Sequence, residues 1–498
     1  MSPSADTPPL SLREPGAVLL ISCYELGHQP LAIASPVALM RSAGYRPAAI
    51  DLAAEGFDSG LVTRARLVAL SVPMHTALRL GTRAAQRVRA INPDAVLVFY
   101  GLYAALNAAA LFELGADAVV GGEYEEPLLR LVEARERGGG GPIPGVQTRD
   151  DAQAPSLKGS ALPVPERDLL PPLERYARLE AFGETRLAGQ VEASRGCLHH
   201  CRHCPIPPVY GGRLVITPRN RVLADIRNQV ARGAAHITFG DPDFLNGPGH
   251  SLAIARAMHA EFPALTFDVT AKVSHLLRYA NRLPELAALG CLFIVTAVES
   301  LNDRILGILD KGHTRADVAR ALALGRETGI SLRPSLVPFT PWTTLDDYFD
   351  LLDWVERDDL TGRIDPVQMS IRLLVPPGSL LLDHPDMRPH LGPLQAGRFT
   401  YLWRHPDPRL DGLQEEVAGI VEAAARDRDD PRRTLAGIRA AAVRTADGRT
   451  ARNDPPAAVM ADERADDGEA WRRPAALVAP PPPHDKGRPP RLSEPWFC

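Results

Sequence analysis

The sequence predicts an α/β chain: an N-terminal flavodoxin-like, doubly wound domain, then a partial (β/α)6 barrel, then a helical extension and a disordered tail. Three observations predict it. Short apolar runs alternate with amphipathic stretches in two separate series, a Gly/Pro-rich passage divides the series, and beyond Ala446 apolar residues become too sparse to bury. A chain of 498 residues also exceeds what one hydrophobic core serves, so two folded units with appendages are expected.

The first series follows a Pro-rich leader, residues 1–14. AVLLIS, bounded by Gly16 and by Cys23-Tyr24-Glu25, reads as a buried strand. SPVALMRSAGY is helical, AAIDLA a second strand, and the alternation runs on through RLVALSV, the helix around LRLGTRAAQRVRAI, AVLVFYG, AALNAAALFELG and ADAVVGG. Such alternation over 15–135 predicts a parallel sheet covered by helices on both faces, with ligands at the carboxyl ends of the strands. Those ends carry Cys23 to His28, Ser71 to His75, Gly101 to Tyr103 and Gly121 to Glu125.

GGGGPIPG and the Pro-rich text after it predict a linker over 136–185. The second series, 186–384, opens at QVEASRG and continues with strands HITFGD, TFDVTA, LFIVTAVES, SLRPSLVPF and VQMSIRLL, each separated from the next by a helix. Six strand–helix repeats with no antiparallel hairpin predict an incomplete barrel whose chemistry lies at the carboxyl ends of its strands. Residues 385–445 weaken to amphipathic helix, clearest in GLQEEVAGIVEAAARD, and 446–498 is expected to be disordered.

Composition excludes several classes. A net charge of -4 gives no field that attracts nucleic acid or an acidic membrane. No apolar run reaches the roughly 20 residues of a bilayer span, and MSPSADTPPLSLREPG is not built like a signal peptide. A cytoplasmic, reducing compartment is expected, where few and unevenly spaced cysteines serve metal binding or catalysis. The basic residues are nearly all arginine, with Lys158, Lys272, Lys311 and Lys486 the only lysines, so arginine counts carry little functional weight.

Cys197, Cys201 and Cys204 place three of the chain's six cysteines within eight residues, directly after a predicted strand. Three thiolates on one loop can share a metal centre. On a four-iron cluster they leave one iron open to a ligand, whereas four cysteines suit electron transfer. A zinc site completed by His199, His200 or His203, or a chance cluster of thiols, is the alternative, although zinc ligands usually come in two separated halves and no second half is apparent.

The run Ser194-Arg195-Gly196-Cys197, with Cys201 and Cys204, resembles the signature of the radical S-adenosylmethionine (SAM) superfamily, and the resemblance extends over residues 190–382. It implies a [4Fe-4S] cluster on the three cysteines, an open iron that chelates the amino and carboxylate groups of SAM, and reductive cleavage of SAM to a 5'-deoxyadenosyl radical. It places His203 at the aromatic position beside the adenine. Gly240, Asp241 and Asp243 fall in the Gly-rich stretch that offers a carboxylate to the SAM ammonium, though GDPDF also reads as a strand-ending turn. Glu299 and Ser300 fall where polar groups approach the ribose or methionine part of SAM, and a carboxylate ending an apolar strand is costly to bury without a partner. Lys311 reads as the solvated end of a helix. Ser370 and Arg372 lie on the last strand, where Arg372 either binds a carboxylate or faces solvent.

The order of the two domains is similar to that of the cobalamin-binding subclass of these enzymes. Their Asp-x-His-x-x-Gly signature is missing, and Glu25-Leu26-Gly27-His28 stands in its place. The resemblance implies cobalamin contacts at Glu25, His28, Ser71, Gly101 and Gly122, and with cobalamin bound it implies methyl transfer to an unactivated carbon or a radical rearrangement. Without cobalamin the domain is a scaffold or a substrate dock. The implied partners are a small-molecule or peptide substrate and an electron donor such as flavodoxin or ferredoxin. The rival reading is a non-catalytic iron–sulfur or zinc protein whose first domain docks a partner. The final SEPWFC resembles the tails of an uncharacterised group of cobalamin-type radical SAM proteins that continue as Cys-Cys-Ala-Glu-Pro or Cys-selenocysteine-Ala-Glu-Pro. That resemblance implies a UGA codon after Cys498 and a redox or maturation role for this cysteine as part of a selenoprotein.

Overall fold

The computed structural model describes residues 11–139, 141–159, 161–448 and 489–493. The first domain is a six-stranded sheet built from β1 (Val18–Ser22), β2 (Ala48–Asp51), β3 (Leu67–Ser71), β4 (Val96–Tyr100), β5 (Ala118–Val120) and β6 (Val146–Gln147). Its order, β2-β1-β3-β4-β5-β6, is the flavodoxin-like order with an antiparallel strand added at one edge. All five residues of β1 are buried, as a parallel strand covered on both faces requires. Leu19 and Ile21 pack into one layer beside helix His75–Ile91, and Val18 and Leu20 into the other beside helices Leu31–Ser42 and Glu125–Glu136. The strand β6 belongs to the expected linker, as does Ser156, which bridges Gly122; the linker is therefore partly an edge of this sheet.

The second sheet comprises β7 (Arg178–Ala181) and β8 (Glu184–Val191); then, beyond the small antiparallel pair β9 (Ser194–Gly196) and β10 (Leu214–Ile216), β11 (His236–Phe239), β12 (Thr266–Ala271), β13 (Cys291–Glu299) and β14 (Ser331–Leu336). The helical extension adds a hairpin, β15 (Leu391–Gln395) with β16 (Thr400–Trp403), and the tail adds β17 (Arg491–Leu492). The order β14-β13-β12-β11-β8-β7-β17 forms a curled half-barrel. β8 and β11 to β14 are parallel, whereas β7 and β8 form an antiparallel hairpin that the sequence pattern does not reveal. Ile237, Phe239, Phe267, Val269 and Ile294 point to the helical layer. Ala188, Phe293 and Val295 face the inside of the curl with Leu179, Ala181 and Leu492.

The sixth expected strand is replaced by a 3-10 turn, Pro366–Met369, and one parallel bridge between Phe339 and Arg372. Pro366 brings no N–H to a ladder, and the Gln368 side chain accepts the Leu336 N–H at 2.9 Å in place of a strand carbonyl. In the expected disordered tail, Leu492 is buried and Arg491 pairs with Glu180 at 2.8 Å. Arg333 on β14, at the far edge of the sheet, donates to the Pro490 carbonyl. The tail strand thus touches both edges of the curl. Cys498 lies outside the described residues. Among the described residues no helix is long and apolar enough to cross a membrane.

Because Leu492 fills the inner face of the curl, Leu492→Ala is expected to destabilise the barrel by about 2–3 kcal/mol. The urea midpoint should fall at an unchanged slope; an unaltered midpoint would show that β17 is dispensable.

Candidate metal centre

The cysteine loop leaves β8 through β9, and its approach is held by one buried carboxylate. Asp241 Oδ2 accepts the Ala193 N–H at 2.9 Å and Oδ1 accepts the Ser194 hydroxyl at 2.5 Å. Burial pushes the Asp241 carboxyl up to about 7, although both hydrogen bonds oppose the shift. Cys197 and Cys201 are buried and Cys204 partly so. Two nitrogens point at the sulfurs: Asn246 Nδ2 lies 3.4 Å from Cys197 Sγ, and Lys272 Nζ lies 3.4 Å from Cys201 Sγ. Burial pushes the Cys204 thiol up to about 12 and raises Cys197 as well, so metal binding must release protons here.

Glu299 ends β13 in the left-handed region, with φ 65°. Its carboxylate meets Lys311 Nζ at 3.0 Å and His203 Nε2 at 3.5 Å. Burial opposes the Glu299 charge, but Lys311 and His203 prevail and hold the carboxyl down at about 2. Lys311 is only 2% exposed, which corrects the reading of it as a solvated helix end. Burial works against its ammonium too, and Glu299 outweighs the burial and keeps the group charged. Two of the chain's four lysines therefore stand at the cysteine loop.

The other expected SAM residues divide. A Cβ on Gly240 would lie 2.9 Å from the end of the flexible Gln190 side chain, so a small shift of that amide would admit it. Asp243 is buried, caps Leu245 through Oδ1 and turns Oδ2 to His275 Nδ1 at 2.8 Å. The Ser300 hydroxyl accepts the Asn302 N–H and shapes the turn into helix Asp303–Leu309. Arg372 faces the extension: it pairs with Asp411 at 2.6 Å and lies 3.6 Å over the Trp403 ring. Ser370 bonds back to Val367 O.

Across the cysteine loop lies the carboxyl end of the first sheet. Arg195 meets Glu125 at 2.8 Å, Glu123 at 3.4 Å and Glu192 at 2.7 Å, and Tyr210 donates to Glu123 at 2.9 Å. Glu25 accepts the Leu31 N–H at 3.1 Å, while its Oε1 is buried without a hydrogen-bond partner. Burial first, and then Glu192 and Asp51, push its carboxyl up to about 8. His28 is buried, and burial lowers it to about 4. Ser71 is also buried. Gly101 adopts φ 109° with a Cβ position 3.3 Å from Val72, and the Cβ position of Gly122 is only 2.1 Å from Ser156 O. Sequence reasoning missed Lys272, Asn246 and Arg195; the scarcity of lysine was the signal available for the first, and the acidic GGEYEE for the last.

The donor set fits an iron–sulfur cluster. Among the described residues the ligand atoms that gather within 4.8 Å of one another are those of His199, Asp243 and His275, and the three thiols form no such group. Three cysteine thiols on one loop, free in this structure, are the donor type that an iron–sulfur cluster takes.

Residues 191–354 match the model of the Radical SAM superfamily; the chain carries a radical SAM domain. It resembles the solved cobalamin-dependent S-adenosylmethionine radical enzyme OxsB with aqua-cobalamin bound, at 14% identity and TM-score 0.64, over 82% of this chain and 67% of that one. The radical S-adenosylmethionine methyltransferase TsrM from Kitasatospora setae, solved with tryptophan and a SAM analogue, matches at 21% identity and TM-score 0.56, over 69% of this chain and 71% of that one. The ribosomal protein uS12 methylthiotransferase RimO of Geotalea uraniireducens is 26% identical over 177 residues, 34% of this chain and 39% of that one. The chain thus spans about two fifths of the length of the curated relatives it matches.

Lys311→Met leaves the Glu299 charge buried with only His203 beside it and should cost about 3–5 kcal/mol. The double variant Lys311→Met, Glu299→Gln should recover most of that loss in chemical denaturation. Because the folded Glu299 carboxyl lies below its ordinary 4.5, the pair's stabilisation is full above pH 4.5 and is lost as pH falls towards 2. The double variant should lack this acid limb.

Proposed function

We propose that the chain is a radical SAM enzyme that holds a [4Fe-4S] cluster on Cys197, Cys201 and Cys204 and carries out a cobalamin-dependent methylation. The observation that carries this reading is three free thiols on one loop, two of them facing the side-chain nitrogens of Asn246 and Lys272, together with the buried Glu299–Lys311 pair and His203 beside it. When bound, the cluster supplies one electron for cleavage of the SAM sulfonium.

The chain's own residues do the rest. Lys272 and Asn246 direct N–H groups at Cys201 and Cys197, and such contacts, with burial, tune a cluster's potential. Glu299 offers a carboxylate to the SAM ammonium, and Lys311 offers an ammonium to its carboxylate. Asp243 is turned to His275 and leaves that ammonium to Glu299. His203 stands beside Glu299, where an adenine ring can lie against it. Burial of Lys272, Asn246, Asp243, Glu299 and Lys311 excludes water from a reactive centre.

The likeness of fold to OxsB and TsrM supports cobalamin on the first domain. So do the buried Ser22 Oγ and Glu25 Oε1, which lack partners at the carboxyl end of β1, where doubly wound folds take ligands. His28, neutral at pH 7, is in the state a metal ligand needs. Gly122 offers no room, since Ser156 covers it. The substrate is a small molecule or a peptide, and the electron donor is of the flavodoxin or ferredoxin type.

Anaerobically reconstituted protein should form 5'-deoxyadenosine from SAM under reduction, and Cys201→Ala should lose both the iron and this product. Undiminished product in that variant refutes the cluster assignment. Hydroxocobalamin added before gel filtration should co-elute as corrinoid absorbance; colourless protein fractions would remove cobalamin from the reading and leave SAM cleavage standing.

A further inference from the structure

Three side chains outside the proposed chemistry converge on the flank of the cysteine loop. His199 comes from the loop itself, between Cys197 and Cys201. Asp243 comes from the turn after β11, and His275 from the first turn of helix Val273–Arg278, which follows β12. His275 Nδ1 lies 2.8 Å from Asp243 Oδ2, and His275 Nε2 lies 3.2 Å from His199 Nε2. His199 Nε2 in turn lies 4.0 Å from Asp243 Oδ2, so each of the three residues offers a ligand atom within 4.8 Å of the others.

Several features mark this as more than a packed histidine pair. Asp243 and His275 are buried, at 1% and 6% exposure. The Nδ1 of His275 lies 2.8 Å from Asp243 Oδ2, yet the pair is not aligned as a hydrogen bond. The two imidazoles are tilted by 56° with centroids 4.6 Å apart, so their nitrogens converge while their faces do not stack. Asp243 is fixed from behind, since Oδ1 accepts the Leu245 N–H at 3.0 Å. His199 is part-exposed at 27%, which leaves an entry path on one side.

We propose that His199, Asp243 and His275 form a mononuclear site for a divalent first-row transition metal, distinct from the three thiols. Two imidazoles and one carboxylate suit zinc, iron(II) or cobalt(II), and three protein ligands leave at least one position open for water or a substrate oxygen. The site requires none of the cysteines, so it stands or falls separately from the cluster.

The test uses the full-length chain carrying Cys197→Ala, Cys201→Ala and Cys204→Ala, which removes every thiol of the loop, titrated with cobalt(II) alone. One equivalent should bind, with visible ligand-field absorption and no sulfur-to-cobalt charge transfer. Adding His275→Ala should weaken binding by at least about a hundredfold, more than the loss of an outer-shell partner brings. His200→Ala, which alters the exposed neighbour, should leave it unchanged. Should circular dichroism show that the triple variant is unfolded, wild-type protein with its thiols alkylated takes its place. Absence of cobalt absorption in folded protein, or absorption that survives His275→Ala combined with Asp243→Ala, overturns the proposal.

Discussion

The arrangement depends on one guanidinium. Arg195 stands two residues before the first cysteine and meets carboxylates from both domains, Glu192 beside it and Glu123 and Glu125 at the end of β5. Its side chain is 11% exposed. Removing such charges from water costs several kcal/mol per ion, so a buried ion network is weak evidence for stability and better evidence for a fixed arrangement. One cation cannot neutralise three carboxylates. Burial raises Glu123, which Tyr210 also contacts, while Arg195 overcomes burial at Glu125 and keeps it ionised. This division of charge holds the carboxyl end of the first sheet against the cysteine loop.

From that anchor the site is built by elements distant in sequence. Asp241 on the turn after β11 fixes the backbone before the loop, Lys272 after β12 reaches Cys201, and Glu299 after β13 pairs with Lys311. Each is at the carboxyl end of a parallel strand, where a barrel concentrates its chemistry. The opposite end is filled with apolar side chains, and the tail strand at Leu492 contributes to that filling. Polar groups gather at one end because the other is a core.

Several of these parts were legible in the order of residues. Continuous apolar runs such as AVLLIS and HITF marked parallel strands because burial on both faces removes the polar alternation that would otherwise show. Cys197, Cys201 and Cys204 are close in sequence, so their shared loop needed no tertiary knowledge. The sixth strand was misjudged: VQMSIRLL has strand composition, yet Pro366 and the Gln368 side chain divert it into a turn. The β7–β8 hairpin lay hidden in text that resembles a linker. The pair Arg491–Leu492 is too short to show any periodicity, and its pairing with β7 spans about three hundred residues.

The sequence by itself determined the two alternating sheets and the thiol triplet, since both follow from local pattern and spacing. Only the tertiary structure decided which charges are paired: it buried Lys311 against Glu299, turned Arg372 away to Asp411, faced Asp243 towards two histidines and set Arg195 between domains. A residue's charge state and partners depend on what the fold brings within a few ångströms, and no local pattern encodes contacts between residues tens or hundreds of positions apart.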